Sequence, residues 1–291
     1  MTLENYLKSN YTTSSAKSYY REIQLYLSSN PAASKATQKE VLHYLQAQRK
    51  EQKPSSIHRI LQSIKKYYNY LVIVEKREDN PTQYLQLKDY KNKLPITKNK
   101  LLTAVEIQEI WEYFLTKKYR YPILKNRNLC LLSLILFQGI TVGELQVLQV
   151  KDIDLERTQI HIPKTKTNNS RLLPLQPCQM LPLYTYLLKD REQLLNNKSH
   201  TNALFISKLG VAASNETASY LLQTIRQLYP HKKVNPKTVR MSVISYQFEQ
   251  GKDIQQVQYF AGHRYPSSTE RYKMSHLESL QQGILKHHPL G

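Results

Sequence analysis

Glycine and cysteine are scarce in this sequence, with seven and two among 291 residues, and no apolar run approaches membrane length. None of the glycines is spaced as G-x-G-x-x-G or as a Walker loop, which argues against a nucleotide cradled by backbone amides; no cofactor is expected. So few glycines suit long helices instead. Cys130 and Cys178 are too few for a disulfide framework and lack the C-x-x-C spacing of zinc or redox sites, so no metal is expected and both read as buried thiols. The longest apolar stretch, Leu129 to Phe137, includes a serine and falls well short of the roughly 20 residues of a membrane span. The opening M-T-L-E-N-Y-L-K has an early acid and no apolar signal core, which makes the cytoplasm the default compartment.

What the chain does have is positive charge. Lysine and arginine number 42 against 22 aspartate and glutamate, a formal net charge of +20, while 40% of residues are hydrophobic, too many for a disordered polycation. Residues 1–100 hold 18 bases and 8 acids, leaving 24 and 14 for the remainder, so each part carries +10. A basic tail on a neutral enzyme is thereby excluded. Charge spread in this way favours a polyanion gripped along the whole protein, because each cation placed on a phosphate releases a condensed counterion. Double-stranded DNA is the expected partner. The alternative source of this charge is a drift of composition toward lysine and tyrosine, which the 22 tyrosines also suggest.

Residues 1–86 read as about four short helices. Ile57, Ile60, Leu61, Ile64, Tyr67, Tyr68 and Leu71 recur at three- and four-residue intervals after Pro54-Ser55-Ser56, leaving Lys65 and Lys66 off the apolar face as candidate DNA contacts. Tyr19, Ile23, Tyr26 and Leu27 repeat the pattern behind Ser14-Ser15, as do Val41, Tyr44 and Leu45. Residues 87–100 have no apolar period and read as a basic linker, whose Lys91, Lys93, Lys98 and Lys100 either are solvated or lie along a phosphate backbone. Residues 101–291 form a second domain. It opens with a Thr103/Glu106 capping box for a helix through Leu115, and Asn126 to Phe137 is apolar almost all round, as a central buried helix requires. Thr158 to Ile162 and Arg171 to Leu175 alternate as a hairpin, Leu204-Phe205-Ile206 suggests one more strand, and segments 181–195, 216–229, 236–250, 253–260, 267–272 and 277–285 read as helices. The class is mainly α with a small β-sheet.

Four groups of residues in the second domain then stand out in order. They are Gly139 to Leu145 with Asp152; the turn Thr165-Lys166-Thr167 before Arg171-Leu172-Leu173-Pro174-Leu175; Lys237-Thr238-Val239-Arg240; and Ala261-Gly262-His263 followed nine residues later by Tyr272. Together they resemble the boxes of the tyrosine recombinases, the phage-integrase and Xer-type family. The resemblance implies a helical core-binding bundle followed by a mixed α/β catalytic domain. It also implies site-specific cleavage and rejoining of DNA through a 3′-phosphotyrosyl link, needing neither metal nor ATP. Tyr272 would be the nucleophile, Arg240 the phosphate clamp, His263 a donor to the phosphate, and Lys237 a base or hydrogen-bond partner. Lys166, or Lys164 two residues away, would protonate the leaving oxygen. Four such protomers would assemble on two DNA sites, with accessory DNA-bending proteins as possible helpers; the apolar stripe of Leu277, Leu280 and Ile284 on the final helix either docks on its own domain or, as the resemblance implies, packs into a neighbouring protomer. A mobile-element or Xer-like task is the expected role.

One position departs from the family pattern. The first box, T-G-L-R-x-x-E-L, is here Gln138-Gly139-Ile140-Thr141-Val142-Gly143-Glu144-Leu145, so Thr141 stands where an arginine is expected. Threonine supplies neither permanent charge nor a bidentate fork, and loss of one such donor costs on the order of 10²–10³ in rate. Either Arg171 or Lys164 replaces the missing cation, or the protein is a degenerate recombinase that binds DNA without cutting it. A purely structural nucleic-acid coat is a third reading, distinguished by its indifference to sequence.

Overall fold

A computed structural model of the chain describes residues 1–87, 98–195 and 201–272. It divides into two compact units, Met1–Leu94 and Pro95–Gly291.

In the first unit, α1 (Leu3–Asn10), α2 (Thr13–Ser29), α3 (Gln38–Arg49) and α4 (Pro54–Ile73) pack around α4, whose Ile57, Ile60, Leu61, Ile64 and Tyr68 are fully buried. Proline at the first position of α4 forfeits no helical hydrogen bond. A reciprocal Thr37/Glu40 box starts α3. The cap of α2 is Thr12, not the Ser14-Ser15 pair, because the Thr12 hydroxyl accepts from the Ser15 amide and puts both serines inside the helix. Buried phenols are satisfied: Tyr26 and Tyr68 share a 2.7 Å hydrogen bond, and Tyr68 donates to the Ala33 carbonyl.

The second unit is built on α6 (Lys125–Phe137), against which α5 (Ala104–Thr116), α8 (Pro177–Thr185), α10 (Glu216–Gln223) and α11 (Pro236–Glu249) pack. The expected Thr103/Glu106 box is present. Two polar residues of α6, Arg127 and Asn128, are buried near its start, where Arg127 donates to the Ile206 carbonyl and to Asn128. The short α7 (Val142–Val147) leads into an antiparallel sheet of β1 (Ile153–Asp154), β2 (Gln159–Ile162) and β3 (Arg171–Pro174), in that spatial order. Its register pairs Ile160 with Leu173 and Ile162 with Arg171. The period-two alternation that buries Leu173 therefore buries Arg171 too. After α8 come a wide turn at Tyr186–Asp190, α9 (Arg191–Leu195) and later α12 (Ile254–Ala261), and residues 267–272 are helical again.

Several expectations change. Leu204-Phe205-Ile206 is buried and makes an isolated antiparallel bridge, Ile206 to Ala212, in place of a regular strand: the Phe205 carbonyl accepts from the Ala213 amide, the Leu204 amide donates to the Leu148 carbonyl, and the Tyr186 hydroxyl donates to the Leu204 carbonyl and accepts from the Ile206 amide. The segment 181–195 begins earlier, at Pro177, and is not one regular helix. Cys130 is buried as expected, but Cys178 is exposed, because it lies in the solvent-facing first turn of α8. The expected helix 277–285, with its apolar stripe, lies outside the described residues.

Candidate functional site

The site grows from an electrostatic problem set by β3. A charged side chain on the inner face of a sheet needs a partner, and Arg171, with no exposed side-chain surface, finds Glu144, equally buried, at 2.5 Å. Glu144 is the hub of the region. Its Oε1 accepts from Arg171 Nη1 and Asn168 Nδ2, its Oε2 accepts from the Thr141 amide and hydroxyl, and Arg240 Nη1 lies 3.8 Å away. Burial alone would raise the Glu144 pKa, but the Arg171 bond and charge, with help from Thr141 and Arg240, hold it below the usual carboxylate value. Thr141 is the N-cap of α7 and forms a reciprocal capping box with Glu144. The Thr-x-x-Glu spacing announced this box, yet sequence reading gave Glu144 no role of its own.

Arg240 comes from the first half of α11, whose start is fixed by Pro236 and by the Asn235 side chain capping the Thr238 amide. Its guanidinium bridges two backbone carbonyls, Nη1 to Gly139 at 2.6 Å and Nη2 to Ala261 at 2.5 Å. Gly139 turns the chain after α6 at φ +60°. Ala261 ends α12, whose C-cap Gly262 has φ +67°, and a Cβ at Gly262 would collide with Arg171 Nη1. Only glycine meets both demands.

The hairpin turn is tied to the same place. The Asn169 amide donates to the Gly262 carbonyl, and Asn168 bridges to His263 in antiparallel fashion. This brings the Lys164–Lys166 turn, whose lysines are both exposed, beside the His263 segment. The His263 ring stacks on that of Tyr272, with centroids 6.0 Å apart, and its Nδ1 is 2.9 Å from the Thr269 hydroxyl, which leaves Nε2 for a ligand. Burial, followed by the charges of Arg240 and Arg171, pulls the His263 pKa down to about 4. The ring is therefore neutral near pH 7.

That shift has a thermodynamic consequence. Because the folded value lies below the ordinary 6.5, the unfolded chain binds the proton first, so the stability His263 contributes is complete above about pH 6.5 and falls as the pH drops toward 4. Between pH 8 and 5 the wild type should lose about 1–2 kcal/mol more than His263→Asn, after discounting for partial exposure. Urea melts of both proteins at the two pH values measure it, and parallel losses would contradict it.

Tyr272 is 8% exposed and lines a cavity of about 390 Å³ together with Thr141, Val142, Pro236, Lys237, Arg240, Met241 and Arg271. Burial raises the tyrosine pKa, and Arg240 and Arg271 oppose that rise. Among the described residues lining the cavity there are three cations and no carboxylate. Such a space selects an anion.

The structure thus brings together Tyr272, Arg240, Lys237 and Thr141 on one cavity, with His263 stacked on Tyr272 and the Lys166 turn tied to His263. Arg171 is buried, bound to Glu144, and is not among the lining residues of this cavity. Sequence reading did not single out Arg271, one of many arginines in a basic chain. Among the candidate DNA contacts, Lys65 and Lys66 are half-buried. Lys65 donates to the Gln83 carbonyl at 3.2 Å, and Lys66 sits over the Tyr11 ring. Lys100 is exposed; Lys91 and Lys93 lie outside the described residues, as does the side chain of Lys98.

Helices around α6, a three-stranded sheet and a tyrosine on a cationic cavity define the class: the fold is that of the tyrosine recombinase catalytic domain. XerH site-specific recombinase bound to palindromic difH substrate, a post-cleavage complex, superposes with a TM-score of 0.72 at 18% identity, over 92% of this chain and 78% of that one. The chain belongs to the phage integrase family, which matches residues 100–278. Tyrosine recombinase XerC of Lacticaseibacillus casei (strain BL23) is 29% identical over 238 residues, covering 81% of this chain and 76% of the relative. Tyrosine recombinase XerD of Rickettsia prowazekii (strain Madrid E) is 27% identical over 246 residues, with the same coverage of each. No helix among the described residues is long and apolar enough to cross a membrane.

Proposed function

We propose that this protein is a site-specific DNA recombinase that cuts and rejoins strands through a 3′-phosphotyrosyl intermediate. The observation that carries this reading is a buried tyrosine opening on a cavity lined by Lys237, Arg240 and Arg271 with no acid among the described lining residues. In the reaction, Tyr272 Oη attacks the phosphorus, the bond to the 5′-oxygen breaks, and that oxygen takes a proton from Lys166 or its neighbour Lys164. The tyrosine proton passes to a solvent base, with Lys237 as a hydrogen-bond partner beside the nucleophile. Arg240, clamped at two carbonyls, offers its remaining N–H groups to the nonbridging oxygens without having to reorganise. Neutral His263, with Nδ1 accepting from Thr269, carries its proton on Nε2 and donates it as a hydrogen bond to the phosphate. Energy of the broken ester is kept in the phosphotyrosine, so reversal by a 5′-hydroxyl reseals a strand.

The first unit adds DNA contacts of its own, with Lys66 and the linker lysines on phosphates, in the cytoplasm. Lys65 contributes less, being engaged by Gln83. Four protomers on two duplexes form the working assembly, aided by a DNA-bending protein, for a mobile-element or Xer-like exchange.

The test is covalent capture. Wild type and Tyr272→Phe are incubated with fragments of the source genome, including nicked versions that trap the intermediate, then denatured in SDS. Wild type should leave DNA attached to protein and the variant none. If specific fragments bind natively and no adduct forms, DNA binding alone is the function.

A further inference from the structure

The recombinase reading leaves a charge unaccounted for, and the cavity shows where one is available. Thr141 lines the cavity at the place where the family pattern has an arginine, and its hydroxyl is turned away to Glu144 Oε2. The two replacements suggested by sequence are poorly placed. Arg171 has no exposed side-chain surface and is bound to Glu144, so presenting its fork to a phosphate would strip Glu144 of its main partner. Lys164 is exposed in the hairpin turn and is not among the residues lining this cavity.

Arg271 meets the requirement that both fail. It is exposed, it lines the same cavity as Thr141, Arg240 and Tyr272, and it takes part in no ion pair among the described residues. A phosphodiester within reach of Tyr272 would lie between Arg240 on the floor and Arg271 at the rim. We propose that Arg271 is a catalytic residue of this protein, its guanidinium supplying to the scissile phosphate the second fork that Thr141 does not provide. Its charge is already felt at the reacting groups, since it works against the burial-driven rise of the Tyr272 pKa. Its rim position also has a kinetic meaning. Arg240 is preorganised before DNA arrives, whereas Arg271, on the turn of helix that carries the nucleophile, completes the phosphate site only when Tyr272 is in place. Clamp and nucleophile would then be delivered by one element, so a protomer whose 267–272 helix is displaced would lose both together.

This inference rests on the recombinase reading, and the experiment separates the two. Rates of adduct formation on a nicked substrate, together with native DNA affinity, are measured for wild type, Arg271→Ala, Arg271→Lys, Thr141→Arg and Thr141→Arg/Arg271→Ala. Arg271→Ala should slow adduct formation by about 10²–10³-fold, while DNA affinity, which loses at most one of many phosphate contacts, changes by less than about tenfold. Arg271→Lys should recover only part of the rate, because an ammonium lacks the fork. Thr141→Arg should restore the rate of the double variant, which also shows that Arg271→Ala leaves the fold intact. A wild-type rate in Arg271→Ala overturns the proposal. So does an adduct from Thr141→Arg where wild type gives none, since family chemistry would then operate without help from Arg271. Absence of an adduct from every protein, wild type and Thr141→Arg included, removes the recombinase reading itself and this assignment with it.

Discussion

Glu144→Gln is expected to lower folding stability by about 3–5 kcal/mol, the penalty for breaking a buried charge pair by removing one partner. The size follows from how much converges on one carboxylate. Arg171 is wholly buried and has Glu144 as its anion, and its Nε and Nη2 have no hydrogen-bond partner, so nothing else offsets its desolvation. An amide keeps the shape but can present an oxygen to only one side. Turned toward Arg171, it sets an NH₂ against the Thr141 amide, and turned the other way, it sets NH₂ against the guanidinium. In a unit of this size the loss lowers Tm by about 10 °C. Arg171→Met should cost a similar amount, and the double variant much less than the sum, because both singles delete the same interaction. Acid should close the gap between wild type and Glu144→Gln. The folded carboxyl titrates below its ordinary value, so its contribution is complete above the unfolded pKa and fades as pH falls through the folded one. Urea denaturation of the four proteins, at neutral and acidic pH, measures these effects. Additive losses would show that Glu144 and Arg171 are not coupled.

That hub also marks how far sequence reading reaches. Periodicity reports which face of an element turns inward, and the apolar stripes of α2, α3 and α4 and the all-round apolar α6 were visible for that reason. Capping boxes depend on residues three apart, so Thr103/Glu106 was legible. The four boxes of the second unit converge on Tyr272 and Arg240 because each combines a residue type with a local spacing. What remained hidden is what local spacing does not encode. β1 has two residues, too few to show alternation. Leu204-Phe205-Ile206 has the composition of a strand, but it pairs through a single bridge to Ala212, and the Tyr186 hydroxyl and the Leu148 carbonyl take three more of its backbone groups. The alternation of β3 implied that Arg171 points inward, yet its partner lies 27 residues away. Arg271 was invisible for another reason: in a chain with 42 lysines and arginines, a single base acquires meaning only when a cavity selects it.

Arg240→Lys keeps the charge and is expected to slow phosphotyrosyl adduct formation by about 10²–10³-fold, or roughly 3–4 kcal/mol. The cause is geometric. Arg240 holds the turn at Gly139 to the end of α12 at Ala261 with two separate nitrogens, and a side chain at Gly139 would meet Val243 and Phe260. A lysine has one nitrogen. It can satisfy one carbonyl and leave the other buried without a donor, at about 1–3 kcal/mol, or turn to the phosphate and leave both. Either way the clamp is no longer preorganised, and Gly262-His263, which follows directly from Ala261, loses one of the ties that fix it, those to Asn168 and Asn169 remaining. His263 and Tyr272 should then shift together, since their rings stack. DNA affinity should fall far less than the rate, because the exposed Lys164, Lys166 and Lys237 are untouched by the change and supply phosphate contacts of their own. Single-turnover adduct formation on a nicked substrate, set beside binding measured on the same DNA, reads the two effects apart. A lysine variant that binds and cleaves like wild type would mean that charge alone suffices at this position and that the two carbonyl bonds serve the fold and not the phosphate.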